Sequence, residues 1–252
     1  VENQGNSAHL AGIIPARWES SRFPGKPLHL LAGKPLLQHV YDRALECEQL
    51  DEVAIATDDT RIRDAAESWG AQVIMTSAEH PTGTDRLAEA VKALPRATHV
   101  INIQGDEPLI DPALVDQVAR LLIEDPALKM ITAANPTTNE EHLQDPNVVK
   151  VVLNTTGHAL YFSRSAIPYR RTPSPNLIML RHMGLYGYRR DFLTEFVEWL
   201  PTPLEKAEQL EQLRAMEHGV PIRVVITDHQ SLGLDTPAQV PEIEALLIKL
   251  LS

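Results

Sequence analysis

The chain has a single cysteine, Cys47, among 252 residues. One thiol excludes an internal disulfide framework and a cysteine-rich zinc site, and it fits a reducing, cytoplasmic compartment. No apolar run reaches the roughly 20 residues a membrane-spanning helix needs. Basic residues are the minority: 23 Lys and Arg against 34 Asp and Glu leave a net charge of −11. That balance argues against a general nucleic-acid or anionic-membrane surface. Val1 to Ser7 lack the charged start and apolar stretch of a signal peptide and read as a flexible leader. Several signatures are also missing. Gly25-Lys26 is followed by Pro27, so no hydroxyl stands where a Walker loop places one on magnesium. There is no Gly-x-Gly-x-x-Gly after a strand, no His-Glu-x-x-His and no Gly-x-Ser-x-Gly elbow. ATPases, dinucleotide-dependent dehydrogenases, zinc hydrolases and lipases are thereby disfavoured.

A hydrophobic content of 43% is enough for the core of one large domain, or of one domain with a sub-lobe. Short apolar runs at 10–16, 52–57, 71–75 and 98–103 predict strands, and helical spacing follows each of them. Asp58-Asp59-Thr60 predicts a helix start, Thr82 to Asp85 predicts a capping box, and Pro112 opens a further helix. Four strand–helix alternations predict a doubly wound, mostly parallel, Rossmann-like α/β sheet covered on both faces. The second half is less regular. Strands are expected at 130–134, 148–153, 159–164, 182–188 and 222–226, helices at 192–200 and 203–218, and a last helix ending at Leu251. Arg170 to Asn176 reads as a mobile loop. Consecutive strands without crossover helices suggest a mixed sheet with a smaller embedded lobe. The expected organisation is a single domain over 8–252, in which about 130–190 includes a dimerisation lobe.

The stretch from Ile13 to Leu28 begins apolar and ends cationic. Pro15 is expected to stop the strand ladder, because proline has no N–H to donate. Arg17, Arg22 and Lys26 follow, with Ser20, Ser21 and Gly25 between them. A loop after the first strand of such a fold lies at the carboxyl edge of the sheet, where these folds bind ligands. Three cations with small residues between them suit a polyphosphate. Asp106 follows the fourth strand behind Gly105, and Asp235 stands in Gly-Leu-Asp-Thr-Pro. Both are oxygen donors of the kind magnesium prefers, with its other ligands supplied by phosphate and water. An ordinary turn aspartate (Asp106) and a helix N-cap (Asp235) are the alternative readings. The segment His80 to Arg86 opens a helix with backbone donors and threonine hydroxyls that can hold an anion or read a base.

The blocks Ile-Pro-Ala-Arg-x-x-Ser-Ser-Arg-Phe-Pro-Gly-Lys-Pro-Leu (14–28), Ala-Thr-Asp-Asp (56–59), His-x-x-Gly-Thr-Asp-Arg (80–86), Gln-Gly-Asp-Glu-Pro (104–108), Tyr-Phe-Ser-Arg (161–164), His-x-Gly-Leu-Tyr-Gly-Tyr (182–188), Leu-Glu-Gln-Leu-Arg (210–214) and Asp-Thr-Pro (235–237) run in order through nearly the whole chain. Together they closely resemble the 3-deoxy-manno-octulosonate cytidylyltransferases. Thr82 stands where that family usually has Ser, and Pro173 to Leu177 is short against the loops of the family. A related enzyme activates 8-amino-Kdo; Glu107 and His80 here favour plain 3-deoxy-D-manno-octulosonate (Kdo).

The resemblance implies a fold of the nucleotide-diphospho-sugar transferase type and a reaction of CTP with Kdo that gives CMP-Kdo and pyrophosphate for lipopolysaccharide biosynthesis. It implies magnesium on Asp106 and Asp235, and a homodimer. Arg17, Arg22 and Lys26 would neutralise the leaving pyrophosphate and join Asp106 and Asp235 as catalytic residues. Pro15, Ala16, Arg17, Lys26, His80, Thr82, Gly83, Thr84 and Arg86 would hold the nucleotide, and His80 could equally be a structural cap. Gln104, Arg164, His182, Tyr186, Glu211 and Gln212 would hold the sugar, although core packing of Tyr186 and a solvated helix face for Glu211 are the plainer readings of those residues alone. Two rivals are an acceptor such as 8-amino-Kdo or another acidic sugar, and a catalytically silent nucleotide-binding regulator. The second predicts lost cations or acids, and none is lost.

Overall fold

The computed structural model describes residues 8–19, 23–172, 177–230 and 232–251. Strand β1 (Leu10–Ala16) sets the layer arrangement. Neighbouring side chains on a strand face opposite ways. Ile13 belongs to one apolar cluster with Leu87, Val100 and Phe192, whereas Ile14 belongs to another with Leu37, Ile55 and Leu114. Both faces are therefore dry and must be covered by helices.

After β1 come a 3-10 turn (Lys26–Leu28), a small hairpin of β2 (Leu30–Leu31) and β3 (Lys34–Pro35), and α1 (Leu36–Leu45). Three strand–helix units follow: β4 (Glu52–Thr57) with α2 (Thr60–Ser68), β5 (Gln72–Met75) with α3 (Gly83–Ala90), and β6 (His99–Asn102) with α4 (Pro112–Glu124). The second half comprises β7 (Met130–Thr137), α5 (Glu140–Gln144), β8 (Lys150–Leu153), β9 (Ala159–Ser163), β10 (Met179–Arg189), α6 (Arg190–Glu198), α7 (Pro203–Glu208), α8 (Gln212–Glu217), β11 (Ile222–Ile226) and α9 (Val240–Leu251). The sheet runs β11-β7-β10-β6-β1-β4-β5, and β8 pairs with β10 and with β9. β6, β1, β4 and β5 are parallel, and β10 lies antiparallel between β6 and β7.

Local chemistry sets the helix starts as expected. The Asp59 carboxylate accepts from the Arg61 N–H at 2.8 Å ahead of α2. Thr82 and Asp85 form the full capping box of α3. α4 begins with Pro112 behind an Asp111 cap. α1 buries Leu36, Leu37, Val40, Tyr41 and Ala44 along one stripe. Cys47 is buried, and burial pushes its thiol up to about 12, so it is an inert core group.

Four features differ from the sequence expectations. Pro15 does not stop the ladder: Pro15 and Ala16 stay paired with Ala56 and Thr57 of β4, and only the β6 side ends, at Ile13 opposite Asn102. β7 and β10 are longer than expected because they pair with one another along most of their length. α5 was not legible as a helix; the Asn139 side chain caps it by accepting from Glu141 N–H at 2.9 Å. The single helix expected over 203–218 is two helices broken at Gln209, which takes a left-handed conformation with φ 52°. The leader 1–7, and residues 173–176 of the expected mobile loop and short segment, lie outside the described residues.

Candidate active site

The carboxyl edge of β4, β1 and β6 gathers the segments singled out in the sequence. Gly25, left-handed at φ 71°, closes the cationic loop by donating its N–H to the Trp18 carbonyl at 3.0 Å. Lys26 then reaches across to Asp106, with Nζ 2.7 Å from Oδ2. Arg17 makes no hydrogen bond or ion pair among the described residues, so its guanidinium is uncommitted. Arg22 lies outside the described residues. Gly105 brings the two loops together: a Cβ there would lie 2.6 Å from the Pro15 carbonyl oxygen, so only glycine lets the turn after β6 press against the end of β1.

Asp235 approaches from a third segment. The Leu234 N–H donates to the Asp106 carbonyl at 2.9 Å, which docks the Gly-Leu-Asp turn on the Asp106 turn. The cap of the following helical turn is Thr236, paired with Gln239, rather than Asp235. The N–H groups of Asp235 and Thr236 both donate to Gln239 Oε1, at 2.8 and 2.9 Å. Beneath these loops a small apolar cluster joins Leu31, Leu36, Leu109, Leu234, Ile243 and Leu247, with Phe23 packed on it. One cluster thus backs the cationic loop, the Asp106 turn and the Asp235 turn together. Among the described residues no group of three or more His, Cys, Asp or Glu is placed to hold a metal. The donor set is two carboxylates on docked turns, and one of them already holds the Lys26 ammonium. That set fits a magnesium ion that completes its shell with phosphate and water.

Beside these turns lies a cavity of about 180 Å³. Pro15, Gly83 and Thr84 line one part of it, Gln104 and Tyr186 another, and Glu211 and Gln212 a third. A bulge in β10 between Met183 and Tyr186 shapes the wall. It exposes the Gly184 carbonyl, which accepts from Gln104 Nε2 at 2.9 Å. The break at Gln209 places Glu211 at the elbow before α8. There its carboxylate accepts from the Thr84 hydroxyl at 2.6 Å and from the Thr82 hydroxyl at 3.2 Å. Burial raises the Glu211 pKa, opposed by Thr84, Arg214 and Thr82. Burial, with the Glu211 charge, also keeps the Tyr186 phenol un-ionised.

The sequence reading missed Asn102. It is only 4% exposed, it lines the cavity, and its Oδ1 has no hydrogen-bond partner. Gln212 Nε2 is likewise buried without a partner. A buried orphan acceptor and a buried orphan donor in one cavity are costly unless a ligand or water joins them. Asn102 was legible only as an apolar-strand residue; its pairing opposite Tyr186 is what puts it in the cavity.

Other expected site residues stand behind the cavity. His182 is one layer back, its Nε2 2.9 Å from Thr132 Oγ1 and its ring centroid 5.4 Å from that of Tyr186. Burial pushes its pKa down to about 3, so the imidazole is neutral. His80 is bonded to Glu89, which also accepts from the Ser77 N–H at 2.9 Å, so it braces the loop before α3. Arg86 is fully buried; it bonds Thr76 and lies 3.1 Å from Asp58, tying α3 to the end of β4. Arg164 turns its guanidinium to the carbonyls of Glu208, Gln209 and Pro146, at 2.7, 3.3 and 2.9 Å. It thereby satisfies carbonyls freed by the helix break and holds the elbow that carries Glu211. Ala16 is buried at the end of β1 and carries only backbone groups to the edge.

The Arg17 and Lys26 cations, two docked acidic turns and a polar cavity at one sheet edge are consistent with a nucleotidyltransferase, and the chain matches the family model described as cytidylyltransferase over residues 11–223. It is 48% identical to the 3-deoxy-manno-octulosonate cytidylyltransferase of Geobacter sulfurreducens, covering 96% of this chain and 99% of that one. It is 46% identical to the Myxococcus xanthus protein of the same name, covering 96% and 97%. A solved structure of CMP:2-keto-3-deoxy-manno-octonic acid synthetase complexed with CTP superposes with a TM-score of 0.92 at 42% identity, over 96% of this chain and 99% of that one. The 4-diphosphocytidyl-2C-methyl-D-erythritol synthase of Anaerococcus prevotii, at 15% identity and a TM-score of 0.64, shares the fold. The chain belongs to the 3-deoxy-manno-octulosonate cytidylyltransferase family.

Proposed function

We propose that this protein transfers CMP from CTP to Kdo, releasing pyrophosphate. The observation that carries this reading is the cavity with Asn102 Oδ1 and Gln212 Nε2 unpartnered beside the buried Glu211 carboxylate. Such a site asks for a ligand that both donates and accepts hydrogen bonds, as a polyol does. Pro15, at the end of β1 just before Arg17, lines it, and the cations that follow would neutralise a triphosphate.

In the reaction the anomeric 2-hydroxyl oxygen of Kdo forms a bond to the α-phosphorus of CTP. The bond from that phosphorus to the bridging oxygen of the β-phosphate breaks, pyrophosphate departs, and the hydroxyl proton passes to solvent water. Charge then grows on the pyrophosphate, and Arg17, Arg22 and Lys26 are the groups that meet it. Backbone groups of Pro15 and Ala16 and the turn of Thr82, Gly83 and Thr84 hold the nucleotide. Asn102, Gln104, Tyr186, Glu211 and Gln212 hold the sugar, with His182 packed behind Tyr186. Asp106 and Asp235 would hold magnesium, which, when bound, polarises the phosphate and lowers the pKa of the attacking hydroxyl. Lys26, seated on Asp106 at 2.7 Å, must then turn to the phosphates.

The product is the activated sugar used in lipopolysaccharide assembly, a cytoplasmic step. The homodimer of this reading is supported by exposed apolar side chains on and beside the β8–β9 lobe: Leu160, Tyr169, Ile178 and Ile226. Pyrophosphate release with CTP, Kdo and magnesium, run in parallel with 8-amino-Kdo, tests the reading. Release with Kdo is expected; preference for the amino sugar overturns the acceptor, and no release from folded protein overturns the activity.

A further inference from the structure

Arg214 lies on α8 behind Glu211, only 5% exposed, and does not itself line the cavity. Its Nε and Nη2 grip both oxygens of Glu205 at 2.8 and 2.6 Å. Its Nη1 reaches the Phe196 and Trp199 carbonyls at 3.4 and 3.3 Å, and its guanidinium lies 4.9 Å from the Phe196 ring centroid. These partners hold the guanidinium in one place behind the cavity wall. One face remains: Nη2 stands 3.6 Å from Glu211 Oε1, the carboxylate that also accepts from Thr82 and Thr84 in the cavity wall. One guanidinium is thus divided between two carboxylates, with Glu205 taking the larger share.

We propose that Arg214 is a positioning residue that keeps Glu211 an ionised acceptor for the sugar, and that Glu205 limits how strongly it does so. This rests on the proposed reading of Glu211 as a sugar ligand. The charged and titratable groups around Glu211 are few. Arg214 is on its own helix, Asp85 faces it from α3, and Tyr186 and Tyr188 face it from β10. Glu205 acts on it through Arg214. Burial and Asp85 push Glu211 towards its protonated form, in which one oxygen donates instead of accepting; Arg214 and the two threonines push the other way.

Two variants move the balance in opposite directions, which a purely structural ion pair cannot do. Arg214→Gln removes the cation. Glu205→Gln keeps the capping interaction with the Thr202 N–H but frees Arg214 to pair with Glu211 alone. The experiment measures kcat/KM for Kdo against pH at saturating CTP, with KM for CTP as control. The acidic limb is expected to rise by about one pH unit in Arg214→Gln and to fall in Glu205→Gln, with KM for CTP within about twofold of wild type. Arg214→Lys, which returns a charge, brings the limb back towards wild type. An unmoved limb in folded Glu205→Gln, or limbs moving the same way in both variants, overturns the proposal. If Arg214→Gln does not fold, the Glu205→Gln and Arg214→Lys limbs decide it. Failure of the wild type to form CMP-Kdo would instead sink the reading on which it rests.

Discussion

Glu211 is a carboxylate kept where water is scarce. Its folded pKa is raised, so protonation favours the folded state. The sign follows: the stability linked to this group is full below the unfolded carboxylate pKa of about 4.3 and is lost as pH rises through the higher folded value. Ionising Glu211 is therefore a cost to the stability of the fold. Glu211→Gln should raise the melting temperature at pH 7–8, by about 2–4 °C for each kcal/mol recovered, and the gain should vanish below about pH 4. Calorimetry at the two pH values checks this, while activity with Kdo should fall sharply. Asn102→Ala should raise KM for Kdo about 10–100-fold with KM for CTP unchanged, since the orphan acceptor is lost and one substrate donor is stranded. Steady-state kinetics in both substrates decides it. Asp106→Asn and Asp235→Asn should each lower kcat by at least about 10²-fold while near-native melting is kept, by analogy with loss of one charge-stabilising group. Near-normal turnover in either variant removes that residue from the metal role.

At the scale of elements, the α7–α8 elbow and α9 do the placing. Gln209 holds a left-handed conformation that costs a side chain about 1 kcal/mol. Gln209→Gly should therefore stabilise the fold by about 0.5–1 kcal/mol in urea titration without changing KM for Kdo, because Arg164 still grips the Glu208 and Gln209 carbonyls. α9 adds Ile243 and Leu247 to the cluster that backs three loops, and Glu244 accepts from the Ala32 N–H of the β2–β3 hairpin at 2.8 Å. Leu247→Ala should cost about 2–3 kcal/mol. It should also raise KM for CTP several-fold, because Leu234 and Leu109 lose their backing together. Loss of stability with an unchanged KM would show that the loops hold their places without α9.

For the whole molecule, a net charge of −11 surrounds a local cationic loop. On the proposed reading, attraction between CTP and that loop is a near-field effect, and salt beyond the physiological range should weaken it. Sedimentation should give twice the chain mass. Ile178→Glu, on an exposed apolar position beside the β8–β9 lobe, should shift the mass towards one chain. An unshifted dimer places the interface elsewhere. Among the described residues no helix is long and apolar enough to cross a membrane.

The sequence by itself determined the parallel half of the sheet and the starts of α2, α3 and α4. Those depend on neighbours in the chain: the unbroken apolar run of β1, the Asp59 cap, the Thr82–Asp85 box and Pro112. It also presented the blocks that carry the family, and most of the residues that meet at the cavity. It could not show that Pro15 stays in the ladder, since that is settled by the partner strand β4. Nor could it split 203–218 at Gln209, because helical propensity runs unbroken through that stretch and the break is held by Arg164 from β9's end. Only the tertiary structure decided which expected residues face the cavity and which brace it. Arg86, Arg164 and His182 have polar atoms that meet protein partners from distant segments, at Asp58, Glu208 and Thr132, while Asn102 is left with an open acceptor. Such partnerships join residues far apart in the chain, so no local pattern encodes them.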